Sequence, residues 1–394
     1  MIVNMMSRVG PTFGTPKSRC AGHGIRCAFF WLAAAFVTAL PAQAADVTMG
    51  TGAPCDLTLS GPIQRGNAAA FQSFVAAMPG GVPDILCLDT PGGSLQESSE
   101  IATYVFENGI GTYLPANTSC ESACSNVFLL GSERTGNGFT VRRAMHATAR
   151  LGVHRPSLVL PEDMSVTSKD VMRAFDVALD SVAAIAALAQ NTDAQTGEPV
   201  IPVAILDMLL SQPATDMLYL DKVGQAVEWR MSVDGYVAPR QLTSPALWQA
   251  CNYSIRERLE MSHLTTAPGF SDHRNAVGRD PVVKISHRLE GRRPGEFVQE
   301  FVVSSPYEVE DLKLGCFLEV THVPEKPEEW QMTACLRWLR DHGLDRPTGC
   351  HEREEKIDVV TPLAIFPPET RLVDLTKAGR EIMNAPMPEL FVAR

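Results

Sequence analysis

The spacing of apolar residues divides this chain into two textures. From Cys55 to Ile63 the apolar positions Leu57, Leu59 and Ile63 alternate with polar ones, the period of a half-buried strand, and Gly61-Pro62 closes the run. Asn67 to Ala77 follows, with Phe71, Phe74 and Val75 on one side of a helix. Ile85-Leu86-Cys87-Leu88 is an unbroken apolar run, suited to a strand covered on both faces. Ser94-Leu95-Gln96-Glu97 has the S-x-x-E form of a capping box, and the helix it opens should end at Asn108-Gly109. Gly111 to Leu114 reads as the next strand and Ser122 to Leu130 as the next helix. This alternation predicts βαβ units around a parallel sheet, an α/β fold.

Gly131 to Arg150 is polar and basic and reads as a loop or hairpin feeding a strand from Arg150 to Val153. Between Asp170 and Gln190 the residues Val171, Phe175, Ala178, Leu179, Val182 and Ile185 recur at helical spacing, so a long amphipathic helix is expected. Pro202 starts another helix, Met217 to Leu220 is a brief strand, and Lys222 to Trp229 the helix after it. Near residue 240 the pattern changes: prolines from Pro239 to Pro362 punctuate short β-like runs such as Val282-Val283-Lys284-Ile285. We therefore expect an α/β domain over 45–239 and a smaller, disulfide-tied, mainly β module over 240–394, with a helix around Trp330 to Arg340.

The first 44 residues stand apart from this fold reading. Arg8, Lys17, Arg19 and Arg26 precede an apolar run from Ala28 to Leu40, and Ala42-Gln43-Ala44 is a small-x-small cleavage site, the layout of a secretory leader cut after Ala44. A run of about 13 residues is short against the roughly 20 needed to span a bilayer. Localisation is accordingly expected to be periplasmic or secreted. Eight of the ten cysteines lie beyond the leader, an even number that fits disulfides in an oxidising compartment. Cys55 and Cys87 fall in strand-like segments of one domain and are expected to pair. Cys120 and Cys124 bracket Ser122 at i, i+4 spacing, where a bridge and two buried thiols are both compatible. Cys251, Cys316, Cys335 and Cys350 would pair among themselves in one of three ways. Net charge is −11, and no basic stripe is interleaved with aromatics, which argues against a nucleic-acid partner.

Three pieces could form one hydrolytic site. Gly92-Gly93 stands between a strand and a capped helix, so the Gly93 N–H can face a developing oxyanion beside a positive helix end; a side chain at Gly93 would block that approach. Ser122 begins an apolar helix, where its Oγ could act as nucleophile and the N–H of Ala123 as a second oxyanion donor. His154 ends a strand-like run before Arg155-Pro156 and is the candidate base. His146 is its rival, set in polar sequence with no strand ahead of it. Asp216, immediately before a strand, is the acid placed to orient an imidazole; Asp207 and Asp221 rank behind it. No set of residues has metal-ligand spacing, so no metal or other cofactor is implied.

Asp89-Thr90-Pro91-Gly92-Gly93-Ser94 resembles the strand-Gly-Gly-helix element of the superfamily of the Clp protease proteolytic subunit and signal peptide peptidase A. Ser122-Ala123 resembles its nucleophile helix, Gly152-Val153-His154-Arg155-Pro156 its hydrophobic-His-x-Pro segment, and Tyr219 to Trp229 the segment after its catalytic Asp. The resemblance covers roughly 55–235 and implies the α/β spiral of ββα units shared by Clp-type peptidases and crotonases. It implies a serine peptidase in which Ser122, His154 and Asp216 are catalytic and Gly93 and Ala123 form the oxyanion hole. Cys120, Glu121 and Cys124 beside Ser122 depart from the Clp pattern and resemble the exported branch of the superfamily. The implied partner is a peptide or protein substrate, with no ATPase, and homo-oligomerisation is left open. A binding protein that keeps the fold without catalysis is the alternative.

Overall fold

The computed structural model describes residues 44–155, 167–213, 215–237, 242–259, 269–284, 289–290, 297–309, 312–323, 326–340 and 358–376. Residues 1–43 of the expected leader, which was to end at Ala44, lie outside them. The first half runs β1 (Asp46–Gly52), β2 (Cys55–Ser60), α1 (Asn67–Ala76), β3 (Ile85–Asp89), α2 (Leu95–Asn108), β4 (Gly111–Leu114), β5 (Ser119–Glu121) and α3 (Ala123–Leu129). A hairpin of β6 (Ser132–Thr135) and β7 (Gly138–Val141) leads to β8 (Arg143–His146) and β9 (Arg150–Val153). Then come α4 (Ser168–Ala189), α5 (Val203–Ser211), β10 (Leu218–Tyr219), α6 (Val223–Glu228) and β11 (Ser232–Asp234).

The main sheet has the order β1-β2-β3-β4-β8-β11, parallel throughout except where β1 turns back on β2. Leu86, Cys87 and Leu88 of β3 are fully buried, as the unbroken apolar run requires of a strand covered on both faces. Off the carboxyl end of β3 an isolated bridge, Thr90 to Cys120, leads into a small second sheet in which β9 pairs parallel with β5 and antiparallel with β10. The protein is thus a mixed α/β structure.

Two local expectations change on inspection. Ser94 caps α2 by accepting from the Glu97 N–H, but the Glu97 carboxylate does not return to Ser94. It accepts instead from the N–H groups of Gly66 and Ala68, both at 2.8 Å, and so caps the neighbouring helix α1, whose own N-cap is a glycine without a side chain to offer. The stretch read as loop or hairpin holds the hairpin and also β8, an interior strand between β4 and β11, so His146 does end a strand. Its inward residue, Arg143, is 2 % exposed, and a buried guanidinium is what polarity alone would not predict.

Beyond residue 240, α7 (Ser244–Arg258) and α8 (Phe270–Val277) precede β12 (Val282–Lys284), β13 (Leu289–Glu290), β14 (Phe297–Val309), β15 (Leu312–Val323), β16 (Lys326–Arg340) and β17 (Asp358–Val360). These strands form an antiparallel sheet, β12-β14-β15-β16-β17, with β13 on β14. The helix expected around Trp330 to Arg340 is strand β16. Met332 and Ala334 are buried at period two against β15, and that pairing overrides a sequence whose apolar spacing also fits a helix. Cys251 is joined to Cys316, tying α7 to β15; Cys335 is also disulfide-bonded, and Cys350 lies outside the described residues.

Residues 361–376 then return to the first half. The carbonyls of Pro368 and Thr370 accept from Gly224 and Val223 at 2.8 and 2.9 Å, capping the N-terminus of α6, and Leu372 N–H donates to Asp221. Phe366 and Leu372 enter the same core as Val223 and Trp229.

Cys55 and Cys87 are joined, Cα atoms 5.5 Å apart, linking β2 to β3 across 32 residues of sequence. Closing a loop of that length restricts the unfolded chain by roughly 3–4 kcal/mol. The double substitution Cys55→Ala/Cys87→Ala should therefore lower the melting temperature by about 5–10 °C, read by thermal circular dichroism. An unchanged melting temperature would remove the bridge from the account of stability.

Candidate active site

The turn from β5 into α3 places Ser122 at φ +57°, ψ −124°, a conformation that a residue with a Cβ adopts only under constraint. Several contacts impose it. The Ser122 N–H donates to Gly152 O at 2.9 Å, and the Ser122 carbonyl accepts from the Ser125 N–H and Oγ at 2.9 and 2.6 Å. Across the turn Cys120 of β5 and Cys124 of α3 are disulfide-bonded, Cα atoms 5.2 Å apart, and both are fully buried. Of the two arrangements compatible with this spacing, the structure has the bridge.

Pairing of β5 with β9 sets Glu121 opposite Gly152, and His154 follows two residues later. Its Nε2 stands 2.8 Å from Ser122 Oγ, and its Nδ1 lies 2.9 Å from the carbonyl of Arg155. A carbonyl can only accept, so the proton sits on Nδ1 and Nε2 presents its lone pair to the serine hydroxyl. Burial pushes the His154 pKa below the ordinary histidine value, while the hydrogen bond to Arg155 pulls the other way. The neutral ring therefore persists to lower pH than a free histidine.

Asp216 is not the imidazole's partner. It is exposed, its carboxylate makes no hydrogen bond among the described residues, and the position expected for it at Nδ1 is taken by the Arg155 carbonyl. The cause is local: the chain turns after β9 and lays its own backbone on the ring. His146 holds Thr148 Oγ1 through Nδ1 at 2.8 Å and has no hydrogen bond to Ser122.

The roles of the two glycines also differ from expectation. A Cβ on Gly93 would lie 2.1 Å from Ile63 O, so Gly93 is required by packing against Ile63. A Cβ on Gly92, φ +87°, would lie 2.4 Å from Glu121 O and 2.9 Å from both Ala123 N and Ser122 Cβ. Gly92 is thus the glycine that lets the backbone approach the serine turn. The neighbouring bonds, Ile63 N–H to Gly92 O and Ser94 N–H to Ile63 O, leave the Gly93 N–H on the other side of its chain. Neither that N–H nor that of Ala123 donates to a described residue.

Ser122 and His154 line an open cleft walled also by Leu95, Val182, Ile185, Leu206, Leu209 and Leu210. Helices α4 and α5 supply most of this apolar lining. Sequence reasoning found both helices but had no means of setting them over the serine, and it missed the Arg155 carbonyl, because any residue type supplies one.

No protein-family profile matches the chain, and no curated protein does. Among solved structures it is similar to two mutant forms of the 1510-N membrane-bound stomatin-specific protease, the second in complex with a substrate peptide. Each is 14 % identical with a TM-score of 0.30, covering 45 % of this chain and 77 % and 73 % of theirs.

A strained serine makes a direct prediction about stability. Glycine adopts φ +57° without a Cβ penalty, so Ser122→Gly should be more stable than Ser122→Ala by about 1 kcal/mol in urea unfolding. Equal stabilities would mean that the turn carries no strain.

Proposed function

We propose that this protein is an exported serine peptidase that works without ATP. The observation that carries the reading is the 2.8 Å contact between His154 Nε2 and Ser122 Oγ, made by a serine held on a turn that presents it to an apolar cleft. Ser122 Oγ attacks the peptide carbonyl as Nε2 takes its proton; His154 then returns that proton to the leaving amine, and water repeats the sequence on the acyl-enzyme. The N–H groups of Gly93 and Ala123 receive the oxyanion. The Arg155 carbonyl holds Nδ1–H and so fixes the tautomer, the part first assigned to Asp216. The spiral ββα arrangement and membership of the Clp-type superfamily belong to this same reading. Export is supported by the leader-like first 44 residues and by the disulfides, and no described helix is long and apolar enough to cross a membrane.

The cleft walls favour an apolar substrate side chain beside the scissile bond. Peptides with Leu, Met or Phe there should be cleaved at least about tenfold faster than those with Asp or Lys, measured as kcat/KM on a peptide panel.

Fluorophosphonate labelling tests the whole proposal. The wild-type protein should be labelled at Ser122, Ser122→Ala should not be labelled, and Asp216→Asn should react within about threefold of wild type because no proton route passes through it. Only the neutral imidazole accepts a proton, so labelling should rise with pH through a midpoint below the usual histidine value of about 6.5 and then level off. A folded wild-type protein that resists the probe across this range would leave the binding-protein reading in its place.

A further inference from the structure

The cleft beside Ser122 holds one polar side chain that the hydrolytic pair does not use. Among the described residues lining it, only Ser122, Ser125, Asn126 and His154 are polar. Ser122 and His154 face each other, and the Ser125 hydroxyl donates to the Ser122 carbonyl at 2.6 Å. Asn126 remains, half-buried, one turn along α3 from the serine.

Its neighbour decides which way the amide points. Ser98, fully buried, donates its hydroxyl proton to Leu95 O at 2.8 Å, so its Oγ can only accept from anything else. The Asn126 group 3.5 Å from that Oγ is therefore the NH2, since a carbonyl there would set two acceptors against each other. Oδ1 is thereby turned away from Ser98. It makes no hydrogen bond with a described residue and it retains solvent contact, and the open space beside Asn126 is the cleft. The apolar wall thus holds one hydrogen-bond acceptor.

A substrate that fills the cleft takes water away from this oxygen. An acceptor desolvated without a donor weakens binding by roughly tenfold to a hundredfold, so a good substrate has to bring one. An apolar side chain, which the rest of the wall favours, brings none. A main-chain N–H is the donor that every residue but proline carries. One helical turn advances about 5.4 Å and an extended peptide about 3.3 Å per residue, which puts that N–H one or two residues from the scissile bond.

We propose that Asn126 Oδ1 accepts a main-chain N–H of the substrate and so sets the register of the peptide in the cleft. The peptide class of the substrate rests on the peptidase reading; the open acceptor in an apolar wall does not.

Backbone-ester peptides test it. Each N–H outside the scissile bond of a fluorescein-labelled octapeptide with a central leucine is replaced in turn by an ester oxygen. Binding is read by anisotropy to Ser122→Gly, which has no nucleophile to cleave it. One replacement within about two residues of the scissile bond should weaken binding at least about tenfold, and proline at the same position should do likewise. Asn126→Ala puts a good helix former in place of a poor one and removes only the amide. In Ser122→Gly/Asn126→Ala the parent peptide and that ester should bind within about twofold of each other. Esters that all bind as tightly as the parent overturn the proposal, as does a penalty that survives Asn126→Ala, or a parent peptide that does not bind. Turnover separates this assignment from the reading beneath it. Binding that needs the N–H, with no cleavage of the parent by the wild type, would keep Asn126 as assigned and remove the peptidase; cleavage indifferent to every ester would do the reverse.

Discussion

Ser122 holds a backbone conformation that favours glycine, and the surrounding structure is arranged so that it cannot leave it. A residue with a Cβ at this φ and ψ costs about 1–3 kcal/mol and persists only where neighbours over-determine it. Here the neighbours come from different parts of the chain: the Gly152 carbonyl fixes the entry, Ser125 fixes the exit, and the Cys120–Cys124 bridge ties strand to helix across the turn. Gly92 lies so close beneath that no side chain fits. The strain has a geometric product, since the register that supplies Gly152 also delivers His154 to the serine hydroxyl.

The far end of the serine's helix is held by a buried cation. Arg143, in the interior strand β8, donates to Leu129 O at the end of α3, to Trp229 O at the end of α6, and to Val200 O ahead of α5, at 2.5, 3.0 and 3.4 Å. Two of these acceptors are helix C-termini, where partial negative charge favours a cation. Burial, with Arg230 nearby, presses the Arg143 pKa down to about 9 against the pull of Asp193, so the group remains charged at neutral pH. One guanidinium thus ties together three segments that do not adjoin in sequence.

What the sequence disclosed follows from which interactions are local. The strands β2, β3 and β4, helices α1 to α6 and the turn before α2 are written in periodicity, capping residues and glycines, and were legible. Ser122 and His154 were legible because their residue types are chemically special and each closes a recognisable element. Strand β8 was hidden by Arg143, whose burial depends on carbonyls from distant segments. Strand β16 was hidden because Met332, Ala334 and Leu336 suit two periodicities and only the register with β15 decides. The partner of His154 Nδ1 was not legible at all: a main-chain carbonyl leaves no mark in residue identity, and Asp216 attracted attention by carrying the right functional group in a place the fold does not use.

The closing segment has a consequence for how the molecule is made. The N–H groups of Val223 and Gly224 that begin α6 find their acceptors in Thr370 and Pro368, almost 150 residues later. A chain emerging from its N-terminus therefore offers the first half with one helix start unsatisfied, and part of the core around Trp229 open, until Thr370 has appeared. A chain cut before Pro368 lacks both acceptors and leaves that helix start and its share of the core unsealed.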